Sequence, residues 1–310
     1  MYLVTGGAGF IGSNIVRKLL EQGKKVRLLD DFSTGRRDNL SGLEEAEVVE
    51  GSLLDQKGLE KVLSGVRYVL HQAVIPSVPR SVEDPLSSNE ANVTGTLNLL
   101  EAARKAQIER FVYAASSSAY GDTQVLPKKE SMPADPLSPY AVAKYTGELY
   151  AKVYAHIYCL PTVSLRYFNN FGPRQDPASE YAAVIPKFIL MLLERKAPVI
   201  YGDGEQSRDF TYIDNAVEAN LLACTSDQVG KGEVINVACG ERYSLNELVT
   251  ALNEIMGTDI NPVYTDPRPG DVKHSLADIA RARELLGYEV KSGFKEGLKH
   301  TVKWFREHKG

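Results

Sequence analysis

An α/β fold is predicted, a doubly wound parallel sheet followed by a smaller C-terminal α/β lobe, and three observations carry the prediction. Through roughly the first 165 residues, short apolar runs alternate with longer amphipathic stretches, the pattern of strands joined by crossover helices. The first run opens directly into the glycine turn Gly6-x-x-Gly9-x-x-Gly12. After Asn169 the rhythm breaks into segments punctuated by proline and glycine, GPRQDP, YGDGEQSRDF and DPRPGD. Loops of that length inside a compact protein are usually functional.

In chain order, strands are expected at Tyr2–Thr5, Lys25–Leu29, Glu47–Glu50, Val66–His71, Phe111–Ala115 and Thr162–Arg166. Helices are expected between them at about 10–22, 55–64, 89–106 and 138–158. Residues 1–169 then form a nucleotide-binding domain and residues 170–310 mainly a second lobe, from which a helix near 211–225 or a later strand packs back on the sheet. No internal repeat or low-complexity segment interrupts this order.

Composition narrows the class. The chain has 310 residues, 43% hydrophobic and 25% charged, with a formal net charge of −4. That is enough chain for a large core and two lobes, and mild acidity gives no footprint for nucleic acid or an anionic membrane. The longest apolar stretch, around Phe188–Leu193, is far short of a membrane span. No signal peptide is expected, since Met1–Thr5 runs straight into the glycine turn. Cys159, Cys224 and Cys239 are too few and too scattered for a disulfide framework or a metal cluster. A reduced, cytoplasmic compartment is expected.

The glycine turn follows a strand and opens a helix, the context in which such a pattern binds a dinucleotide. Glycines there permit a tight turn, close approach of backbone to a pyrophosphate, and close helix–sheet packing, while the helix N-terminus offers free amides. Asp30 ends the second strand about 20 residues on, where a carboxylate accepts from a ribose hydroxyl and repels a 2′-phosphate. NAD is therefore expected over NADP. Arg36 and Arg37, which could attract such a phosphate, read as residues of a solvated loop.

Tyr140 and Lys144 in SPYAVAK stand four residues apart, one helical turn, so phenol and ammonium share a face. A fixed positive charge beside a phenol favours phenolate and should draw its pKa from about 10 toward neutrality. The pair reads as a general acid/base, with the serine run Ser116–Ser118 upstream of it.

TGGAGFIG, the serine run before Tyr120-Gly121, and Tyr140-x-x-x-Lys144 together resemble the extended short-chain dehydrogenase/reductases that act on nucleotide sugars. The resemblance spans essentially the whole chain and is most specific for the UDP-hexose 4-epimerases. Within them it is similar to the bacterial UDP-N-acetylglucosamine 4-epimerases, through HQAVIPSVPRS, YAASSSAYGD, LSPYAVAK, RYFNNFGPRQDP, YAAVIPKF, GDGEQSRDF and GDVKHSLADI. It implies a Rossmann-type fold and an isomerase that retains NAD. It also implies a homodimer in which helices 89–106 and 138–158 pair with those of a second copy.

The resemblance further implies Ser116 as catalytic hydroxyl, Tyr140 as the base for the sugar 4-hydroxyl, and Lys144 as the group that tunes it and holds the nicotinamide ribose. Around the cofactor it implies Phe10 and Ile11, then Asp31, Ser33, Thr34 and Gly35, and then Leu53, Gln72, Ala73, Asn92 and Phe168. Ser52 stands where many relatives carry an aspartate that contacts adenine. Around a UDP-sugar it implies Ser117, Ser118 and Asn169 near the sugar, Ala183 and Val184 where backbone meets uridine, and Tyr201 near uracil. Asp271 matches a carboxylate for the uridine ribose. Arg208 and Arg268 match the diphosphate-binding arginines, since each guanidinium can fork onto phosphate oxygens. The alternative for both is a surface arginine paired with Asp209 or Asp271. Ser275 stands where epimerases restricted to UDP-glucose and UDP-galactose carry a tyrosine at the sugar-pocket wall. It therefore leaves room for an N-acetyl group, or it merely ends a strand.

Three rivals are weighed against the epimerase. A 4,6-dehydratase needs an acidic pair directly after the catalytic hydroxyl, where Ser117 and Ser118 stand. A UDP-glucuronate 4-epimerase or decarboxylase needs a cation for the carboxylate, for which Arg80 and Arg174 are candidates. A non-catalytic NAD-binding module could dispense with Ser116, Tyr140 and Lys144.

Overall fold

The computed structural model describes residues 1–177, 183–267 and 273–308. Seven strands form the central sheet: β1 (Tyr2–Thr5), β2 (Val26–Asp30), β3 (Glu47–Glu50), β4 (Tyr68–His71), β5 (Arg110–Ser116), β6 (Thr162–Tyr167) and β7 (Lys231–Val237). Their order is β7-β6-β5-β4-β1-β2-β3, and every neighbouring pair is parallel. Side chains alternate between faces along each strand. Val4, Leu28, Leu70, Val112 and Val163 join one core with α1 (Phe10–Glu21) beneath them. Their neighbours Leu3, Leu29, Val69, Phe111 and Tyr113 join the other. That second core is closed by α2 (Gln56–Val62), α5 (Gly95–Lys105) and the long α6 (Pro139–Tyr158), with α3 (Val78–Glu83) and α4 (Pro85–Asn89) packed against α6. Burial on both faces is why these strands read as continuous apolar runs.

Strand ends differ by a residue or two from those expected, and two departures have identifiable causes. The helix expected from 89 begins earlier, at Pro85, because Asp84 accepts from the Ser87 amide as N-cap and proline fits the first helical position. It then passes through a π-helical turn over Glu90–Thr94 before α5. There Asn92 pairs with both backbone groups of Ile75, accepting from its amide at 2.8 Å and donating to its carbonyl at 3.2 Å. Strand β7 was not among the expected strands. Gly232, with φ +82°, interrupts its alternation, and the pairing shifts register between Lys231 and Glu233.

The later residues form α7 (Val184–Leu193), α8 (Ile213–Thr225), α9 (Leu245–Met256), α10 (Ala280–Leu286) and α11 (Phe294–Glu307). α8 packs on α1 and β5, so residues beyond 169 complete the sheet's layers. The rest of the lobe gathers around Phe171, Phe210, Phe294 and Tyr243, whose rings meet at 4.1–6.4 Å. Among the described residues no helix is long and apolar enough to cross a membrane.

Candidate active site

The chain leaves β1 toward β2 and β3 on one side and crosses to β4 on the other, so strand order reverses at β1. In open α/β sheets the crevice for ligands lies at the carboxyl ends of the strands at such a switch. Gly6 turns there with φ +66°, and a Cβ on it would stand 2.7 Å from the Ala73 backbone at the end of β4. A Cβ on Gly12 would run into the Gly6 carbonyl oxygen. Only glycines let α1 start this close to the sheet. Gly9 is its N-cap and no side chain caps the helix, which leaves Phe10, Ile11 and Gly12 at a helix start suited to an anion. The cradle fits a dinucleotide pyrophosphate.

Asp30 is buried at the end of β2. Its carboxylate accepts from the Ala8 amide at 2.8 Å and the Phe32 amide at 2.9 Å, yet burial still holds its pKa above the usual carboxylate range. Two bonds leave acceptor capacity for a ribose hydroxyl. Gly35 folds against it, where a Cβ would lie 2.6 Å from Oδ1. Ser33 and Thr34 are exposed in the same loop, and Asp31 accepts from both the amide and the hydroxyl of Ser33. Arg36 pairs with Asp38 and Asp176 at 3.2 Å, and Arg37 with Glu50 at 2.6 Å. Both are therefore engaged in exposed ion pairs. Ser52 accepts from the Leu54 amide, and Leu53 packs against Gly95.

Three residues expected beside the cofactor have side chains engaged with other protein groups. Gln72 is buried between Asn220 and Tyr167, at 3.1 Å from each. The Phe168 ring is fully buried against Tyr120. Asn92 holds the Ile75 backbone, as described.

Ser116 ends β5, and its hydroxyl accepts from the Ser118 amide at 3.2 Å and the Ser118 hydroxyl at 2.8 Å. Ser117 starts the 3-10 turn that follows. The start of α6 shows how Tyr140 is placed. Ser138 accepts from the Ala141 amide at 3.1 Å, Pro139 has no amide to satisfy, and the Tyr140 amide donates to Ser81 of α3 at 3.0 Å. The free donors of the first turn are thereby used up. Ser81 was not singled out from the sequence, because nothing local links it to a turn some 60 residues away. Below it, Lys144 is buried at 4% exposure, and burial pushes its pKa down to about 7. Tyr140 departs from expectation in sign. Burial raises its phenol above 10, and a hydrogen bond with Ser116 opposes this only in part. The lysine charge that should lower it is itself suppressed by burial.

In the later part of the chain, the segments carrying Arg208 and Ser275 are paired. The Ser207 amide donates to Lys273 O and the Ser275 amide to Ser207 O, both at 3.0 Å. Arg208 donates to the carbonyls of Ser207 at 3.0 Å and Lys273 at 3.2 Å. Asp209 is not a surface partner for it: fully buried, it accepts from the amides of Cys239, Gly240 and Ala277 at 3.0, 3.1 and 3.2 Å. Burial raises its pKa to about 6. Asn169, at φ +33°, donates to the Asp209 carbonyl at 3.3 Å. Tyr201 accepts through its carbonyl from Gln206, and Ala183 precedes Val184 at the uncapped start of α7. Arg268 and Asp271 lie outside the described residues. Arg174 reaches Asn14 of α1 at 3.1 Å, toward the cofactor end.

Comparison with known proteins agrees with this geometry. The profile of the family described as NAD dependent epimerase/dehydratase matches residues 2–238. A UDP-glucose 4-epimerase of Mycolicibacterium smegmatis is 39% identical, with 98% of each chain covered. The solved UDP-N-acetylglucosamine 4-epimerase of Methanobrevibacter ruminantium M1, in complex with UDP-N-acetylmuramic acid, is 44% identical with a TM-score of 0.94, covering 99% of this chain and 98% of that one. The Thermotoga maritima UDP-glucose 4-epimerase with UDP-glucose is 41% identical with a TM-score of 0.95, covering 100% and 99%.

Proposed function

We propose that this chain, a member of the NAD dependent epimerase/dehydratase family, interconverts UDP-N-acetylglucosamine and UDP-N-acetylgalactosamine, and also UDP-glucose and UDP-galactose. The observation that carries the reading is Tyr140 and Lys144 on one face of α6, beside the Ser116 end of β5, at the carboxyl ends of the strands where the glycine turn also lies.

NAD, when bound, supplies a reversible hydride acceptor. Tyr140 Oη takes the proton of the sugar 4-hydroxyl as C4 loses hydride, with Ser116 steadying the transferred proton. The 4-keto sugar would then turn over and be reduced on its other face, with Tyr140 giving the proton back. Lys144, when charged, favours the phenolate that this requires. Ser117 and Ser118 offer no acid or base for a 5,6-elimination, which disfavours a dehydratase. Engagement of Arg174 with α1 leaves it a poor candidate for a glucuronate carboxylate.

Ser275 supports the choice of sugar. It is buried, its amide bonded to the Ser207 carbonyl, and a phenol ring in its place would occupy the volume an acetamido group needs. An exposed apolar stripe on α6, Val142, Leu149, Val153 and Ile157, continues onto Leu86 of α4, and it supports assembly as a homodimer through these helices.

The test is kcat/KM for UDP-N-acetylglucosamine, UDP-glucose and UDP-glucuronate, measured separately. Turnover of the first two is expected. Turnover of the glucuronate alone would overturn the proposal. Ser275→Tyr should reduce turnover of the N-acetylated sugar at least tenfold more than that of UDP-glucose, and equal losses would remove Ser275 as the gate.

A further inference from the structure

Lys144 is a buried amine whose charge burial opposes, and Tyr113 of β5 meets it twice. The Tyr113 hydroxyl donates to the Lys144 carbonyl at 3.1 Å. The Tyr113 ring presents its face to Lys144 Nζ at 4.9 Å from its centroid. Both contacts need α6 to lie unusually close to β5, and Gly147 makes that possible. A Cβ at 147 would collide with the Tyr113 hydroxyl.

The groups around Lys144 supply no anion for it. On its own helix stands Tyr140, a phenol kept neutral by burial. On β4 stands His71, hydrogen-bonded to Thr5 at 2.7 Å and Thr96 at 2.9 Å and held neutral by burial, with Lys144 adding to that effect. One turn on, Glu148 is fully engaged by Arg166 of β6, at 2.7 and 2.8 Å. The negative face of an aromatic ring is then the counterpart left to the ammonium, and in a desolvated setting such contacts are at their strongest.

We propose that Tyr113 is the positioning residue of this site, its ring favouring the charged form of Lys144 against burial and its hydroxyl fixing the turn of α6 that carries Tyr140 and Lys144. The inference rests on the roles given to Tyr140 and Lys144 above, but it concerns the ionisation of Lys144 and can be read without substrate.

The experiment replaces Tyr113 by phenylalanine and, through nonsense suppression, by pentafluorophenylalanine. The two rings have nearly the same shape and opposite quadrupoles. In protein carrying ¹³C-labelled lysine, the Lys144 Cε resonance, assigned with Lys144→Met, is titrated by NMR in each form. With phenylalanine the midpoint should stay within a few tenths of a pH unit of the parent. With pentafluorophenylalanine it should fall by about one unit, a tenfold loss of charged fraction. The alkaline limb of kcat/KM should move by the same amount. Equal midpoints for the two rings would overturn the ring's role whether or not the enzyme epimerises any sugar. Gly147→Ala tests the clearance independently: it should lower the midpoint and kcat together while KM changes less than twofold, and an unchanged midpoint would refute the close approach.

Discussion

Replacing Lys144 by methionine should stabilise the nucleotide-free protein while abolishing its chemistry. The lysine is buried with no carboxylate beside it, and burial alone takes its pKa from 10.5 to about 7. At about 1.36 kcal/mol per unit, that displacement corresponds to about 5 kcal/mol of differential stability. Methionine matches the stem and removes the charge. Water entering around a buried ammonium lowers the figure, so a gain of about 2–5 kcal/mol is expected at pH 7. The sign follows from proton counting. Between pH 7 and 10.5 the unfolded chain binds a proton that the folded chain lacks, so wild-type stability from this group rises with pH across that window. Below pH 7 the full cost is present.

The signature is therefore the pH dependence of the gap between variant and wild type. Urea unfolding of nucleotide-free protein at pH 7.0, 8.5 and 9.5 should show the gap closing by about 1.4 kcal/mol per pH unit. Other groups titrating in this range contribute alike to both proteins and cancel in the difference. A gap independent of pH would refute the argument, as would a variant no more stable than wild type at pH 7. The same lysine then shows why such sites are kept at a cost in stability: a stabilising change here removes the function.

Three further outcomes are expected. Tyr140→Phe keeps the packing of α6 and removes the proton carrier, so kcat should fall by about 10²–10⁴ in a coupled epimerase assay; near-normal turnover would remove Tyr140 from the mechanism. Glu148→Gln leaves Arg166 buried without its bidentate carboxylate and should cost about 3–5 kcal/mol in urea unfolding, whereas a change below about 1 kcal/mol would mean the pair contributes little. Val153→Asp combined with Ile157→Glu puts charges into the exposed stripe of α6 and should give a monomer in sedimentation where the parent is a dimer; a parent already monomeric at micromolar concentration would refute the homodimer.

What could be read from the sequence lies mostly within single turns of chain. Gly6, Gly9 and Gly12 announce their strand–turn–helix because each is needed for a local clearance, and Ser138-Pro139 announces the start of α6 because an N-cap and an N1 proline are local devices. Asp84-Pro85 carries the same kind of local signal for α4, five residues before the helix expected from 89. Strand β7 was hidden by Gly232, whose bulge breaks the two-residue alternation that betrays a strand. Asp209 sits between an arginine and a phenylalanine in a polar loop and so looks like a surface partner. It is buried because amides arrive from Cys239, Gly240 and Ala277, roughly 30 and 68 residues downstream.

The Tyr140–Lys144 pair shows how far spacing can go. Four residues fix which face the two groups share, and the fold confirms that they share it. The direction of the pKa shift, however, depends on how deeply both groups are buried, and that is decided by elements distant in sequence that pack around them, among them β5, which sets the Tyr113 ring against Lys144. A lysine that is to lower a phenol must first stay charged. In a buried site its charge is set by whatever faces it across the helix–sheet interface, which is why the Tyr140–Lys144 pair is legible in one heptapeptide and its ionisation is not.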